Sequence, residues 1–225
     1  MIGGNLTTGK LRIITIPICT LFFTLSLLLN PAAYGELSEK EVRTLQEKIK
    51  SFEHLNVVFT QKTYRSLRKK TSLSTGRAFF SKPNHFRWVL ETPSQSQWIY
   101  DGKTLNYFLP EKKQATTYPS QVSRGKELRN IVDMVLNFDE LLKRFKITKA
   151  TQTDHLIDIT LSPLSPTDIK SADLRLDTKN GFMESIKLNL GSGNHTTIEF
   201  SSPNKSPIPG STYQVPKGTK ITSAS

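Results

Sequence analysis

From His54 onward, apolar side chains recur at every second position, a period that a strand turns onto one face. Leu55, Val57 and Phe59 alternate with Asn56, Val58 and Thr60, and Phe86, Trp88 and Leu90 share a face opposite His85, Arg87 and Val89. Further strands are predicted over residues 74–81, 97–100, 104–109 and 114–118, then over 156–161, 172–177, 182–190 and 196–201. Asp101-Gly102 and Asn180-Gly181 are hairpin signals, because such turns need positive φ, and Gly191-Ser192-Gly193-Asn194 marks another turn. Neighbouring strands are therefore expected to run antiparallel. A last short strand is predicted over 213–215, with disorder from about residue 222.

Two segments depart from this period. Ser38 with Glu41 three residues on makes a capping box, and Val42, Leu45, Ile49 and Phe52 follow at helical spacing. Between Lys126 and Phe145, Leu128, Ile131, Val132 and Val135 form one helical piece. A second starts at the cap Asn137, with Glu140 three residues later, and carries Leu141, Leu142 and Phe145. The order is helix, five or six strands, two helices, then about five strands. A meander that long must curl, and the helices are what is left to cover its inner face. The expectation is a mainly β (α+β) protein: an open antiparallel half-barrel of about 10–11 strands, with an N-terminal helix and a helical lid.

The first 35 residues read differently. Lys10 and Arg12 precede a mostly apolar run from Ile13 to Leu29, and Ala33-Tyr34-Gly35 supplies small residues where a signal peptidase cuts. Residues 1–35 are thus expected to be a cleavable signal peptide, and 36–225 a single domain with a sizeable core. The only cysteine, Cys19, lies in the segment to be removed, behind Pro17-Ile18 rather than the small residues of a lipid-attachment site. Removing Lys10 and Arg12 from the 31 basic residues leaves 29 against 19 acidic, a net charge of +10 that favours anionic partners. No zinc-finger spacing, ribonucleoprotein motif or basic helix supports nucleic acid, so anionic lipid surfaces fit better.

Catalytic patterns are missing. His54, His85, His155 and His195 stand singly, with no two at helical i,i+4 spacing, and Asp154, Asp158, Asp168, Asp173 and Asp177 form no calcium loop. There is no nucleophile elbow, phosphate loop or dinucleotide fingerprint. No enzyme activity, metal or cofactor is expected. Aromatic residues instead crowd the first sheet, among them Phe59, Phe80, Phe86, Trp88, Trp98, Tyr100 and Tyr107.

Several segments carry a resemblance. Phe59-Thr60-Gln61-Lys62, Gly76 to Phe80, Lys82-Pro83-Asn84-His85-Phe86-Arg87-Trp88, Asp101-Gly102-Lys103-Thr104-Leu105, Pro110 with Gln114, and Tyr213 to Gly218 resemble, in order and spacing, the LolA family of periplasmic outer-membrane lipoprotein carriers. The resemblance implies a periplasmic chaperone without catalysis. It would take acylated lipoproteins released by an inner-membrane ABC transporter and pass them, as a monomer, to an outer-membrane receptor. It also implies a cavity for acyl chains, with Phe59, Phe80, Phe86, Trp88, Leu90, Trp98, Tyr107 and Val135 as candidate lining. The alternatives are a lipoprotein-sensing or receptor module of the same fold, or a hydrolase with an unrecognised site.

One position departs from the family pattern. Where the family usually has an arginine before the proline, bonded to the lid, this chain has Lys82, which lacks the planar fork of guanidinium donors. Lys82 is the candidate lid latch, with Arg87 or Arg77 as alternatives.

Overall fold

The computed structural model describes residues 38–50, 52–118, 131–132 and 134–224. The expected signal peptide and the start of the central helical segment, including Leu128, lie outside them. Among the described residues, twelve strands make one open sheet: β1 (His54–Arg65), β2 (Lys70–Ser81), β3 (His85–Thr92), β4 (Ser96–Tyr100), β5 (Leu105–Leu109), β6 (Gln114–Tyr118), β7 (Phe145–Thr153), β8 (Leu156–Pro163), β9 (Ile169–Asp177), β10 (Phe182–Leu190), β11 (His195–Asn204) and β12 (Lys220–Ser223). Their order is β12-β6-β5-β4-β3-β2-β1-β11-β10-β9-β8-β7, so the sheet ends at β12 and β7 and does not close into a barrel. The expected open, mainly antiparallel architecture is present, with twelve strands rather than 10–11.

The N-terminal helix α1 (Glu39–Lys50) begins as its sequence dictates. Ser38 Oγ accepts from the Glu41 N–H at 3.3 Å, while the Glu41 carboxylate accepts from the Ser38 N–H at 2.8 Å and its hydroxyl at 2.7 Å. These bonds hold the Glu41 pKa below its usual value. Gln46 Nε2 of α1 donates to Asp139 Oδ1 at 2.7 Å, tying it to α2 (Phe138–Leu142).

Three expectations are corrected. Phe145 does not continue α2 but opens β7, a strand absent from those expected. The helix stops where Arg144 N–H bonds Leu141 O at 3.0 Å, and Arg144 O then accepts from Leu164 N–H at 2.8 Å, next to the β7–β8 ladder. Residues 213–215 are not a strand. Tyr213 ends a 3-10 turn (Gly210–Tyr213), and the closing strand is β12, parallel to β6, whose last two residues, Thr222 and Ser223, lie where disorder was expected. β12 carries one large apolar side chain, Ile221, and that is exposed. Backbone pairing to an open edge, not burial, makes this strand, so no apolar pattern announced it.

The period of two places the core. Leu55, Val57 and Phe59 of β1, Ala78 and Phe80 of β2, and Phe86 and Trp88 of β3 are buried in one cluster. Inward residues of β8 to β11 join it, as do Ile131, Val132, Met134, Val135, Leu136, Phe138 and Leu141 from the helical segment. The helices thus pack on the sheet's apolar face. On the other face, Val215 covers a smaller cluster of Ile99, Phe108 and Ala115, so the chain after β11 crosses the back of the sheet before joining β6.

Within the main core, Phe59 pairs with Gly76, and beyond Gly76 lies β3. With no side chain between them, the rings of Phe59 and Trp88 stack across the intervening strand, centroids 4.1 Å apart. A Cβ at Gly76 would run into the Val89 carbonyl oxygen and lie 2.8 Å from Phe59 Cζ. Gly76→Ala should therefore destabilise the fold by about 2–3 kcal/mol, since backbone and ring must both move. Urea unfolding followed by circular dichroism measures this, and an unchanged midpoint would show that the strands yield freely there.

Candidate functional site

The candidate cavity residues converge on this apolar face. Phe59, Phe80, Phe86, Trp88 and Val135 belong to the main cluster, and Leu90, Trp98 and Tyr107 pack against it while only partly buried. Register explains the convergence: Trp88 pairs with Trp98 across β3–β4, and Trp98 with Tyr107 across β4–β5. Edge contacts extend the ring system, with Phe80 at 6.5 Å and Phe200 at 6.2 Å from Trp88. At its other end Trp98 lies 4.8 Å from Tyr107 and 5.6 Å from Tyr118. The belt thus grades from closed to accessible: Phe59 and Phe80 are 0% exposed, whereas Leu90, Trp98 and Tyr107 keep surface open.

This surface can hold apolar chains without directional bonds, because its lining is aromatic and aliphatic and the hydrophobic effect scales with area rather than geometry. Three further residues adjoin it. Tyr100, whose ring lies 5.6 Å from that of Phe86, is two residues from Trp98 and so on its face, a signal that alternation offers. Tyr118 ends β6 and meets Trp98. Phe200 is set against Phe59 by the β1–β11 pairing, a long-range match that no local pattern reveals.

The latch candidates separate. Lys82 sits in the β2–β3 turn, its N–H donating to Glu53 O at 3.0 Å. Arg77 and Arg87 alternate with inward residues and lie on the opposite face. Arg77 Nε donates to Glu91 Oε1 at 2.8 Å, an exposed pair. Arg87 is half-buried, with Nε donating to Gln97 Oε1 and Nη1 to the Thr212 carbonyl, each at 3.0 Å. Desolvation lowers its pKa, and both acceptors are neutral. Arg87 therefore clamps the C-terminal crossing to the back of the sheet rather than engaging the helices.

The same crossing is held by a buried polar relay. Ser81 Oγ hydrogen-bonds His54 Nδ1 at 2.8 Å and the Tyr213 hydroxyl at 2.6 Å, and the His85 ring lies 5.4 Å from that of Tyr213. His195 stacks on Tyr64 at 4.9 Å. His54, His85 and His195, which stand singly in the sequence, are thus each packed against a partner. Among the described residues, no three metal-ligating side chains come together.

Burial raises the Tyr213 pKa above the ordinary 10.0, and the Ser81 bond opposes this in part. A raised folded-state pKa contributes stability that is complete below the unfolded value and is lost as pH rises through the folded one. Stability should thus decline above about pH 10. Tyr213→Phe should cost about 1 kcal/mol at neutral pH and flatten that alkaline decline. Urea unfolding repeated from neutral to alkaline pH checks both, and an equally steep decline in the variant would assign it to other groups.

Residues 50–215 match the family model described as outer membrane lipoprotein carrier protein LolA. An outer-membrane lipoprotein carrier protein of Pseudomonas fluorescens (strain Pf0-1) is 26% identical over 188 residues, covering 81% of this chain and 88% of that protein. One of Vibrio cholerae serotype O1 (strain M66-2) is 27% identical over 188 residues, covering 79% and 87%. The crystal structure of an uncharacterized conserved protein from Thermus thermophilus shares the fold, with a TM-score of 0.54 at 11% identity, over 84% of this chain and 100% of that one.

Proposed function

The chain belongs to the LolA family of outer-membrane lipoprotein carrier proteins, and from that premise we propose that it is a periplasmic carrier of lipoproteins. It would shelter their acyl chains on the aromatic face between inner and outer membranes, taking them from an ABC transporter and giving them to an outer-membrane receptor. The supporting observation is the continuous apolar belt from buried Phe59 to accessible Trp98 and Tyr107. No catalytic step is part of this reading.

The physical need is large. A triacylated lipoprotein exposes roughly forty methylenes, and at about 0.8 kcal/mol each their contact with water costs on the order of 30 kcal/mol. A carrier must offset much of that, yet release its cargo. Area-driven binding under helices that can shift meets both demands without a nucleotide, since cargo and closed helices compete for one surface. In this reading residues 1–35 are removed on export. N-terminal sequencing of the exported protein should begin at Glu36, and retention of the segment in a membrane-bound product would refute the periplasmic assignment.

Trp98→Glu places a carboxylate on the accessible part of the belt, where folding tolerates it better than at buried Trp88. Uptake of a fluorescent fatty acyl probe should weaken at least roughly tenfold. Undiminished uptake by the folded variant would take the belt out of cargo binding. Lys82, proposed as the latch, is tested in the transfer of a labelled lipoprotein to its receptor. Lys82→Leu should slow handover and Lys82→Arg should favour closure through extra donors. Equal rates for both variants and wild type would remove Lys82 from the mechanism.

A further inference from the structure

The β1–β2 hairpin ends in an exposed leucine surrounded in sequence by cations. Leu67, in the short 3-10 turn Ser66–Arg68, is 97% exposed, and Arg65, Arg68, Lys69 and Lys70 flank it. Among the described residues, none of these four cations has an ion-pair partner. A lone exposed leucine is ordinary, but three further observations bear on this one.

On its β3 side the hairpin outruns its neighbour. β2 pairs with β1 from Lys70, whereas its pairing with β3 begins only at Thr75. Residues 70–74 thus extend past the neighbouring strand, about 16 Å at the rise of a strand. The tip is also held in place. Ser66 N–H donates to Asn194 Oδ1 at 2.9 Å and Ser66 Oγ to the Ser192 carbonyl at 2.7 Å, bracing it against the β10–β11 turn, and Lys69 N–H closes the tip on Ser66 O at 3.1 Å. Finally, antiparallel order brings the β5–β6 turn, with Lys112 and Lys113, to the same end of the sheet.

We propose that this hairpin tip docks the protein on an anionic phospholipid bilayer, with Leu67 entering the interface and the basic residues facing lipid phosphates. The charge pattern selects this occupant. Nucleic acid or an acidic peptide would use the cations but leave Leu67 in water, whereas a bilayer interface satisfies both at once. A preformed tip loses little conformational freedom on docking. The proposal is independent of cargo: acyl-probe uptake can hold while vesicle binding fails, and the reverse.

The test is co-sedimentation of the full chain with phosphatidylcholine vesicles, with and without phosphatidylglycerol. The N-terminal apolar segment is the same in every variant, so differences between variants report the hairpin. Wild type should prefer the phosphatidylglycerol vesicles and lose that preference as salt rises. Each basic side chain at an anionic surface contributes roughly fivefold, so Arg68→Ala with Lys70→Ala should weaken binding about 25-fold. Lys69 is left in place because its φ of 46° sits in the left-handed region of the turn. Leu67→Ser should cost roughly tenfold. Equal binding by wild type and the double variant would overturn the proposal. So would loss in the double variant with none in Leu67→Ser, which would show electrostatic adsorption of the cations alone, with no entry of the tip into the interface. Circular dichroism confirms folding of the variants, which lie outside the core.

Discussion

Phe59 and Trp88 touch across a strand that offers no side chain to separate them, and much of the structure follows from that contact. Gly76 lets β1 and β3 share a ring stack, worth about 0.5–1.5 kcal/mol beyond the area it buries. The stack also sets the geometry of everything beside it. Phe80 and Phe200 meet the edges of Trp88, and the β3–β4 register carries the belt on to Trp98. A larger residue at position 76 would force the strands apart and break the belt at its buried end.

An open sheet leaves two edges, and the molecule treats them differently. β12 lies parallel along β6, reached by a chain that crosses the back of the sheet and is held by Tyr213, by the Arg87 bond to Thr212 O, and by Val215. β7 is the opposite edge and carries Lys146 and Lys149, charged residues of the kind that discourage pairing with another chain. The belt gathers most of the apolar area on one face. The clamp and the polar relay occupy the other, so the polar bonds are made away from the surface proposed for cargo. The basic hairpin tip stands at one end of the sheet, away from both.

What local sequence pattern determines, it determines through period and turn chemistry. Alternation on β3 alone places Phe86 and Trp88 on one face and Arg87 on the other, and Ser38 with Glu41 sets the start of α1, because these effects act between residues a few positions apart. The family resemblance added the apolar face as a cargo surface and singled out Lys82. Tertiary structure decided the rest. Phe145 fits helical spacing after Leu141 as well as it fits a strand, and only pairing with β8 resolves the choice. β12 has almost no apolar signal, since its energy comes from backbone hydrogen bonds to an edge that exists only once β6 is in place. Arg87 gave no sign of its role as a clamp, because its acceptor at Thr212 is 125 residues away. Short-range periodicity is written in the sequence, but partners joined by long-range pairing are fixed only when the whole sheet forms.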